Sequence, residues 1–483
     1  MPNLLQWADS NGLVLLSALL IAIELVGIAS AMEAIMKSRT PQGAVAWFLS
    51  LVTMPLIMVP VYWIFGRPRF HGYARARRQD DPALHRVARE VDALLQKHPA
   101  TLPVPPLNLI LRERLGIQPS TGGNRIRLLI DGETTFDGLF ALIDSAQHYL
   151  LLIYYILRDD EIGEALLQRL IARAEAGVEV LMIYDEIGSF QLRRRYLRRL
   201  RKAGVQIHPF NSTKGPSNRF QLNFRNHRKL AIADGRRAII GGSNIGDEYL
   251  GRHPLLTPWR DTSLHIEGPA VLASQLIFVE DWFWATDQIA QLRWEDHPPP
   301  GDKDVLVLAT GPADMLETTT LTYMHLIASA RERLWIVSPY FVPDASIVTA
   351  LQTAALRGVD VRILLPDKAD NRLVQLSSYA YFRDIQMAGG RFYRYQRGFL
   401  HQKVLLIDDE ISCVGTSNMD NRSFRLNFEI NLLVRDTAFN QEIETMLLDD
   451  FANSQMVPYQ EFERRPLYFR LAVRMAHLMA PVQ

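Results

Sequence analysis

The pattern of apolar and polar positions changes character along the chain. Two long apolar runs come first: Gly12–Met32, interrupted only by Glu24, and Ala44–Phe65, which contains no charge. Each holds about 20 residues, the length a helix needs to cross a bilayer. Both are apolar on every side, which predicts membrane helices rather than a buried soluble pair; a shallow hairpin or interfacial pair is the alternative. Glu24 is costly at bilayer depth and is expected to face the partner helix or a polar cavity. No basic residue precedes the first run, and the second follows within a dozen residues, so a cleaved signal peptide is not expected. From about residue 121 the pattern becomes short strand-like runs alternating with helix-period stretches. Tyr149–Ile156 reads as a strand, Ile162–Glu175 as a helix and Ala176–Asp185 as a second strand. The same succession returns as Leu334–Phe341, Ala345–Leu356 and Arg357–Pro366. A glycine closes the helix each time, Gly177 and Gly358, 181 residues apart.

Repetition of this order predicts two α/β halves related by duplication and a pseudo-twofold axis. The expected organisation is a membrane segment with two transmembrane helices at 1–67, a linker region with one helix at 68–120, a first half at 121–297, a second at 298–460 and an amphipathic tail at 461–483. Pro103, Pro105 and Pro106 break the linker helix, and the acidic, proline-rich stretch Glu295–Asp304 joins the halves. In the tail, Leu467, Phe469, Leu471, Ala472, Met475 and Leu478 alternate with Arg470, Arg474 and His477. This fits an interfacial helix or a helix packed on the body.

Candidate chemistry lies inside the repeat. His227-Arg-Lys229, four residues, then Asp234 recurs as His401-Gln-Lys403, four residues, then Asp408. Each copy sits at a strand-like run and is followed by a glycine turn and an asparagine, Asn244 or Asn418. In a strand, residues two apart point the same way, so His and Lys of each copy share a face. Two such strands, one per half, would bring two imidazoles and two ammonium groups around one phosphate. An imidazole serves as nucleophile or proton donor near neutral pH; lysine and asparagine hold phosphoryl oxygens. A reactive imidazole needs an acceptor on its other nitrogen. Asp261 and Glu429 follow the histidines at equivalent places in the repeat, 168 residues apart. Asp234 and Asp408 close their strands and are expected to bond turn amides.

The doubled motif resembles the signature of the phospholipase D superfamily, H-x-K-x(4)-D twice. The flanks, among them Ser38–Trp47, Tyr62–Gly66, Arg225–Lys229, Gly241–Gly251, Pro258–Asp261, Phe399–Lys403 and Asn418–Phe424 with Asn427–Glu429, are similar to those of bacterial cardiolipin synthases. Gln402 stands where a smaller residue was expected. The resemblance implies catalytic roles for His227, Lys229, Asp234, His401, Lys403 and Asp408, phosphate binding by Asn244 and Asn418, and histidine orientation by Asp261 and Glu429, with His227 favoured as nucleophile. It implies transfer of a phosphatidyl group between two phosphatidylglycerols through a phosphatidyl-histidine, giving cardiolipin and glycerol. A phospholipase D-type hydrolase releasing phosphatidic acid would share these residues; a non-catalytic anionic-lipid-binding protein would not need them. No cofactor and no metal are expected.

Composition changes this picture little. A net charge of +1 offers no global attraction for nucleic acid, and a single cysteine, Cys413, precludes an intrachain disulfide. The local charge is more informative. Arg67, Arg69, Arg75, Arg77 and Arg78 follow the second apolar run. By the positive-inside tendency they place the catalytic halves on the cytoplasmic face of a bacterial inner membrane, as a multi-pass protein that has membrane lipids as partners. An oligomer is compatible with all of this. Lys214, Arg219 and Arg225 precede the first motif and are candidates for lipid-phosphate contacts.

Overall fold

The first apolar run forms a helix, Pro2–Lys37, whose stretch Val14–Lys37 (mean hydropathy 2.4) is long and apolar enough to cross a membrane. The second run behaves differently. In the computed structural model, which describes residues 2–67, 70, 73, 82–101, 114–210, 213–214 and 223–483, it does not form one helix. Thr40 caps a helix Pro41–Thr53, which stops at Met54 (φ −137°, ψ 54°), and a new helix Pro55–Val61 begins, continued by a π-turn Tyr62–Gly66. Pro55 explains the break: it lacks an N–H and disfavours helical backbone at the residue before it. The chain then folds back. Leu51 O and Pro55 lie beside Gly27, whose Cβ, were there one, would stand 2.7 Å from Pro55 Cβ. Further on, Trp63 Nε1 donates to Ser30 Oγ (3.2 Å) and Arg67 Nη2 to Glu33 (3.2 Å), while Trp47 and Tyr62 meet edge to face at 5.2 Å. Among the described residues one helix is thus long and apolar enough to cross a membrane, and the second expected transmembrane run is a bent helical pair folded back beside it rather than one continuous helix. Glu24 is corrected too. It is exposed, because the returning chain turns beside Gly27, so the buried seam is Gly27, Ser30, Ala31 and Ala34.

By their contacts the residues fall into two units, Met1–Gly72 with Ser212–Phe224, and Tyr73–Asn211 with Arg225–Gln483. Arg69, Arg75, Arg77, Arg78, Pro103, Pro105, Pro106 and Arg219, singled out above, lie outside the described residues.

In the second unit both halves share one sheet of 16 strands. From one edge inward run Gln206–Pro209, Glu179–Tyr184, Tyr149–Tyr154, Leu230–Ala233, Arg237–Gly241, Thr262–Glu267 and Thr121–Ile130. The second half continues from the centre outward with Lys303–Thr310, Asn427–Arg435, Ile411–Gly415, Val404–Ile407, Arg333–Val337, Asp360–Pro366 and Arg391–Tyr395, then Ser454–Met456 at the far edge. The order reverses about the antiparallel seam of Thr121–Ile130 with Lys303–Thr310, which is a pseudo-twofold arrangement. Within each half the strand–helix–strand units are parallel, as a right-handed crossover requires. Gly177 (φ 88°) and Gly358 (φ 92°) end their helices in the left-handed region, where glycine carries no Cβ penalty. The long helices Pro269–Thr286 and Thr437–Ala452 stand at equivalent places in the repeat. The linker helix Pro82–Leu95 buries Leu84, Val91 and Leu95.

Two further pairings decide the site. Arg225–Asn226 pairs in parallel with Asn427–Phe428, and Phe399–Leu400 with Trp259–Arg260. Each joins the segment before one half's motif to the other half's acid-bearing strand.

Candidate active site

The histidines follow those short strands directly, ahead of the longer strands Leu230–Ala233 and Val404–Ile407. The motif residues thus sit in the connection before the strand rather than within it. His227 N–H donates to Phe428 O (2.9 Å), and His401 N–H to Arg260 O (2.8 Å), so each imidazole is fixed against the opposite half. The acids are exchanged as a result. Glu429 lies at 2.9 and 3.0 Å from Nδ1 of His227, and Asp261 at 2.8 Å from Nδ1 of His401. All four side chains are buried. Thr416 Oγ1 donates to Glu429, and the Thr262 N–H to Asp261.

Burial pushes both imidazoles down to about 4, against the opposing pull of their carboxylates. Burial also raises Glu429 and Asp261, but the histidine and lysine beside each outweigh it and hold both carboxyls below their ordinary value. The resting pairs are therefore neutral imidazole on carboxylate, with Nδ1–H donating and Nε2 bearing a lone pair. Burial lowers Lys403 to about 8 and Lys229 well below its usual range. Lys229 Nζ donates to His227 O (2.7 Å) and sits over the Tyr155 ring. Lys403 Nζ lies 3.1 Å from His401 Nε2. The two histidines thus differ: Nε2 of His401 accepts from Lys403, whereas Nε2 of His227 makes no hydrogen bond among the described residues.

Both imidazoles open into one cavity of about 490 Å³. Tyr155, Tyr249, Trp259 and Tyr340 line it, with Arg158 and Arg422 as further cations. Among the described residues no three His, Cys, Asp or Glu side chains converge as metal ligands would.

Residues 139–254 and 323–450 match the family described as "Cardiolipin synthase, PLD-like domain". The proteins called cardiolipin synthase A of Pseudomonas putida F1 and Pseudomonas aeruginosa LESB58 are 43% and 44% identical to the chain; the first alignment spans 95% of this chain and 97% of the relative, the second 97% and 96%. The chain belongs to the cardiolipin synthase family. As a member of that family it is an enzyme, a phosphatidyltransferase of the phospholipase D type. The fold is shared with the phosphatidylserine synthase of Haemophilus influenzae Rd KW20 (TM-score 0.59, 14% identity, 82% of this chain and all of that one).

The remaining motif residues of this cardiolipin synthase family member fall into place by contact. Asp234 (φ 54°) accepts from the N–H groups of Gln147, His148 and Tyr149, and Asp408 (φ 48°) from those of Arg331, Glu332 and Arg333. They close the ends of the strands away from the histidines as turn acceptors, the role expected for them, and are not among the residues that line the cavity. Asn244 lines the cavity, yet its Oδ1 accepts from Ile156 N–H and its Nδ2 donates to Tyr249. Asn418 also lines the cavity, and its buried Oδ1 has no partner. Gln402 is large for a reason. Its Nε2 donates to Asp450 and its Oε1 accepts from Thr262, while Arg260 supplies Asp450 with a charge partner. In the first half Arg228 itself pairs with Asp281, 169 residues before Asp450. The repeat keeps a buried acid on each long helix and satisfies it by different routes.

Arg225 and Phe341 are buried, and Tyr340 donates to Asp370. The exchange of acids and the roles of Thr416, Tyr155 and Tyr249 were not readable in advance. The matched spacing of Asp261 and Glu429 was the one signal pointing toward them.

Proposed function

We propose that the protein transfers a phosphatidyl group from one phosphatidylglycerol to another, giving cardiolipin and glycerol. The observation that carries this reading is the pair of crossed imidazole–carboxylate contacts opening into one cavity, with a lysine beside each. His227 is the nucleophile, because its Nε2 is unengaged. That nitrogen forms a bond to phosphorus as the bond to the glycerol oxygen breaks. The bound phosphate's negative charge favours protonated His401, which gives its Nε2 proton to the departing glycerol. The primary hydroxyl of a second phosphatidylglycerol then loses its proton to His401 and attacks phosphorus, and the N–P bond breaks. Lys229 and Lys403 hold the phosphoryl oxygens throughout, and Asn418 offers its amide. Aromatic walls limit water, which favours an alcohol acceptor.

Membrane attachment fits lipid substrates. In our reading Val14–Lys37 is a single span in the bacterial inner membrane, the re-entrant pair returns to the face on which Arg67 lies, and the catalytic unit works at the cytoplasmic face. The test is purified protein in phosphatidylglycerol vesicles without divalent metal, with lipid products read out. Cardiolipin and glycerol, lost in His227→Ala and His401→Ala, are expected. Phosphatidic acid alone would reassign the protein as a hydrolase.

A further inference from the structure

The C-terminal helix Leu467–His477 presents three different faces. At about 100° per residue, Phe469, Val473 and Ala476 share its inner side. Val473 and Ala476 are buried there, and the Phe469 ring meets Tyr379 at 5.1 Å on the helix Arg372–Met387. The outer arc is apolar as well. Leu467, Tyr468, Leu471, Met475 and the following Leu478 fall within about 100° of one another, and they are between 59% (Met475) and 78% (Leu467) exposed. A water-facing arc on a packed helix is normally polar. Between the two sides lie Arg470 and Arg474, exposed and, among the described residues, paired with no carboxylate.

This outer arc continues into the cavity. Met479, Val482 and Gln483 line the same cavity as His227 and His401, as do Leu373 and Val374 at the start of the helix that carries Tyr379. The tail is fastened there: Arg422 N–H donates to Gln483 O (2.7 Å), Arg422 Nη1 to Val482 O (3.2 Å) and Asn421 Nδ2 to Ala480 O (3.1 Å). An apolar strip with an arginine flank therefore runs from open surface to the reaction centre.

We infer that the outer face of Leu467–Leu478 seats the catalytic unit on an anionic bilayer, with Arg470 and Arg474 at the headgroups, so that lipid passes along Leu478, Met479 and Val482 into the cavity. Arginine beside an exposed apolar arc is the pattern of a helix lying in a membrane interface. Continuity with the cavity favours a bilayer over a protein partner. The inference rests on the reading that the cavity takes lipid.

Its test uses the full-length protein. Cys413 is buried, so Leu471→Cys introduces one accessible thiol for an environment-sensitive fluorophore. The labelled protein is reconstituted in phosphatidylcholine vesicles with and without phosphatidylglycerol, with brominated acyl chains as quenchers. The expected result is blue-shifted, quenched emission, several-fold stronger with phosphatidylglycerol, while a label on exposed Glu442→Cys stays unquenched. No quenching at position 471, a blue shift without quenching as a second protein copy would give, or equal quenching in both vesicle types would overturn it. In parallel, Leu471→Asp with Met475→Asp is expected to lower kcat/KM on vesicles about tenfold and leave turnover of a dispersed short-chain phosphatidylglycerol unchanged. An equal fall on both substrates would also overturn it. Should position 471 be quenched while wild-type protein forms no cardiolipin, the reaction assignment fails and the docking face stands. Cardiolipin formation with an unquenched label gives the reverse.

Discussion

Each imidazole takes its orientation from a carboxylate on the other half, and that exchange can be read kinetically. Glu429→Gln is expected to reproduce the loss expected on removing His227, and Asp261→Asn that on removing His401, each by about 10²–10⁴-fold in kcat. Rapid quench in neutral denaturing detergent, which spares the acid-labile N–P bond, with lipid labelled at phosphorus distinguishes them. Glu429→Gln should form little phosphatidyl-enzyme, whereas Asp261→Asn, impaired in both proton transfers but with an intact nucleophile, should form it slowly and retain it. If the carboxylates served their own halves, the two patterns would be interchanged. The pH profile follows from the same burial. In the free protein both imidazoles titrate near 4, so they are neutral at pH 7 and gain protons only as pH falls. Lys403, lowered to about 8 by burial, keeps its charge below that value and loses it above. Hence kcat/KM should fall below about 4 as the nucleophile protonates, decline with rising pH through neutrality because His401 must take up the proton it gives to glycerol, and fall more steeply above about 8 as a phosphate-binding charge disappears. Lys403→Arg, whose guanidinium does not deprotonate, should move the alkaline limb upward even if its plateau is lower.

At the scale of elements, the short strands and the helices between them were legible because their apolar periods and closing glycines are local properties. The second apolar run was not. A bent helical pair and one continuous helix have the same composition, and only Pro55, with Pro60 behind it, marks the fold-back. The close approach at Gly27 makes that hairpin testable. Gly27→Leu would drive a side chain into Pro55 and the Leu51 carbonyl, and it is expected to cost about 1–3 kcal/mol, seen as a lower thermal midpoint in detergent, while Gly12→Leu, with open space around it, should change nothing. The exchanged acids were hidden for a different reason. Spacing gave Asp261 and Glu429 equal standing, but the partner of each is set by the pairings Arg225–Asn226 with Asn427–Phe428 and Phe399–Leu400 with Trp259–Arg260, which join residues far apart in sequence.

For the whole molecule, the single span and re-entrant pair proposed above would put the two ends of Val14–Lys37 on opposite faces of the membrane. Gly12→Cys should react in intact cells with a thiol reagent that cannot cross the inner membrane, and Gln42→Cys only after permeabilisation. Two spans would reverse the pattern, exposing Gln42→Cys in intact cells and protecting Gly12→Cys. Cys413, being buried, keeps the background low. The exchange of acids carries a consequence for ancestry. A lone copy of the repeat would hold a histidine with no carboxylate of its own to orient it, so two copies had to meet before either could work. Identical partners would have been bound to identical chemistry. Fused in one gene, the copies were free to diverge, and they did: Arg228 faces Asp281 in one and Gln402 faces Asp450 in the other, and Lys403 engages the nitrogen of His401 that its counterpart leaves open on His227. Only the fused descendant can fix in its sequence which histidine attacks and which carries the proton.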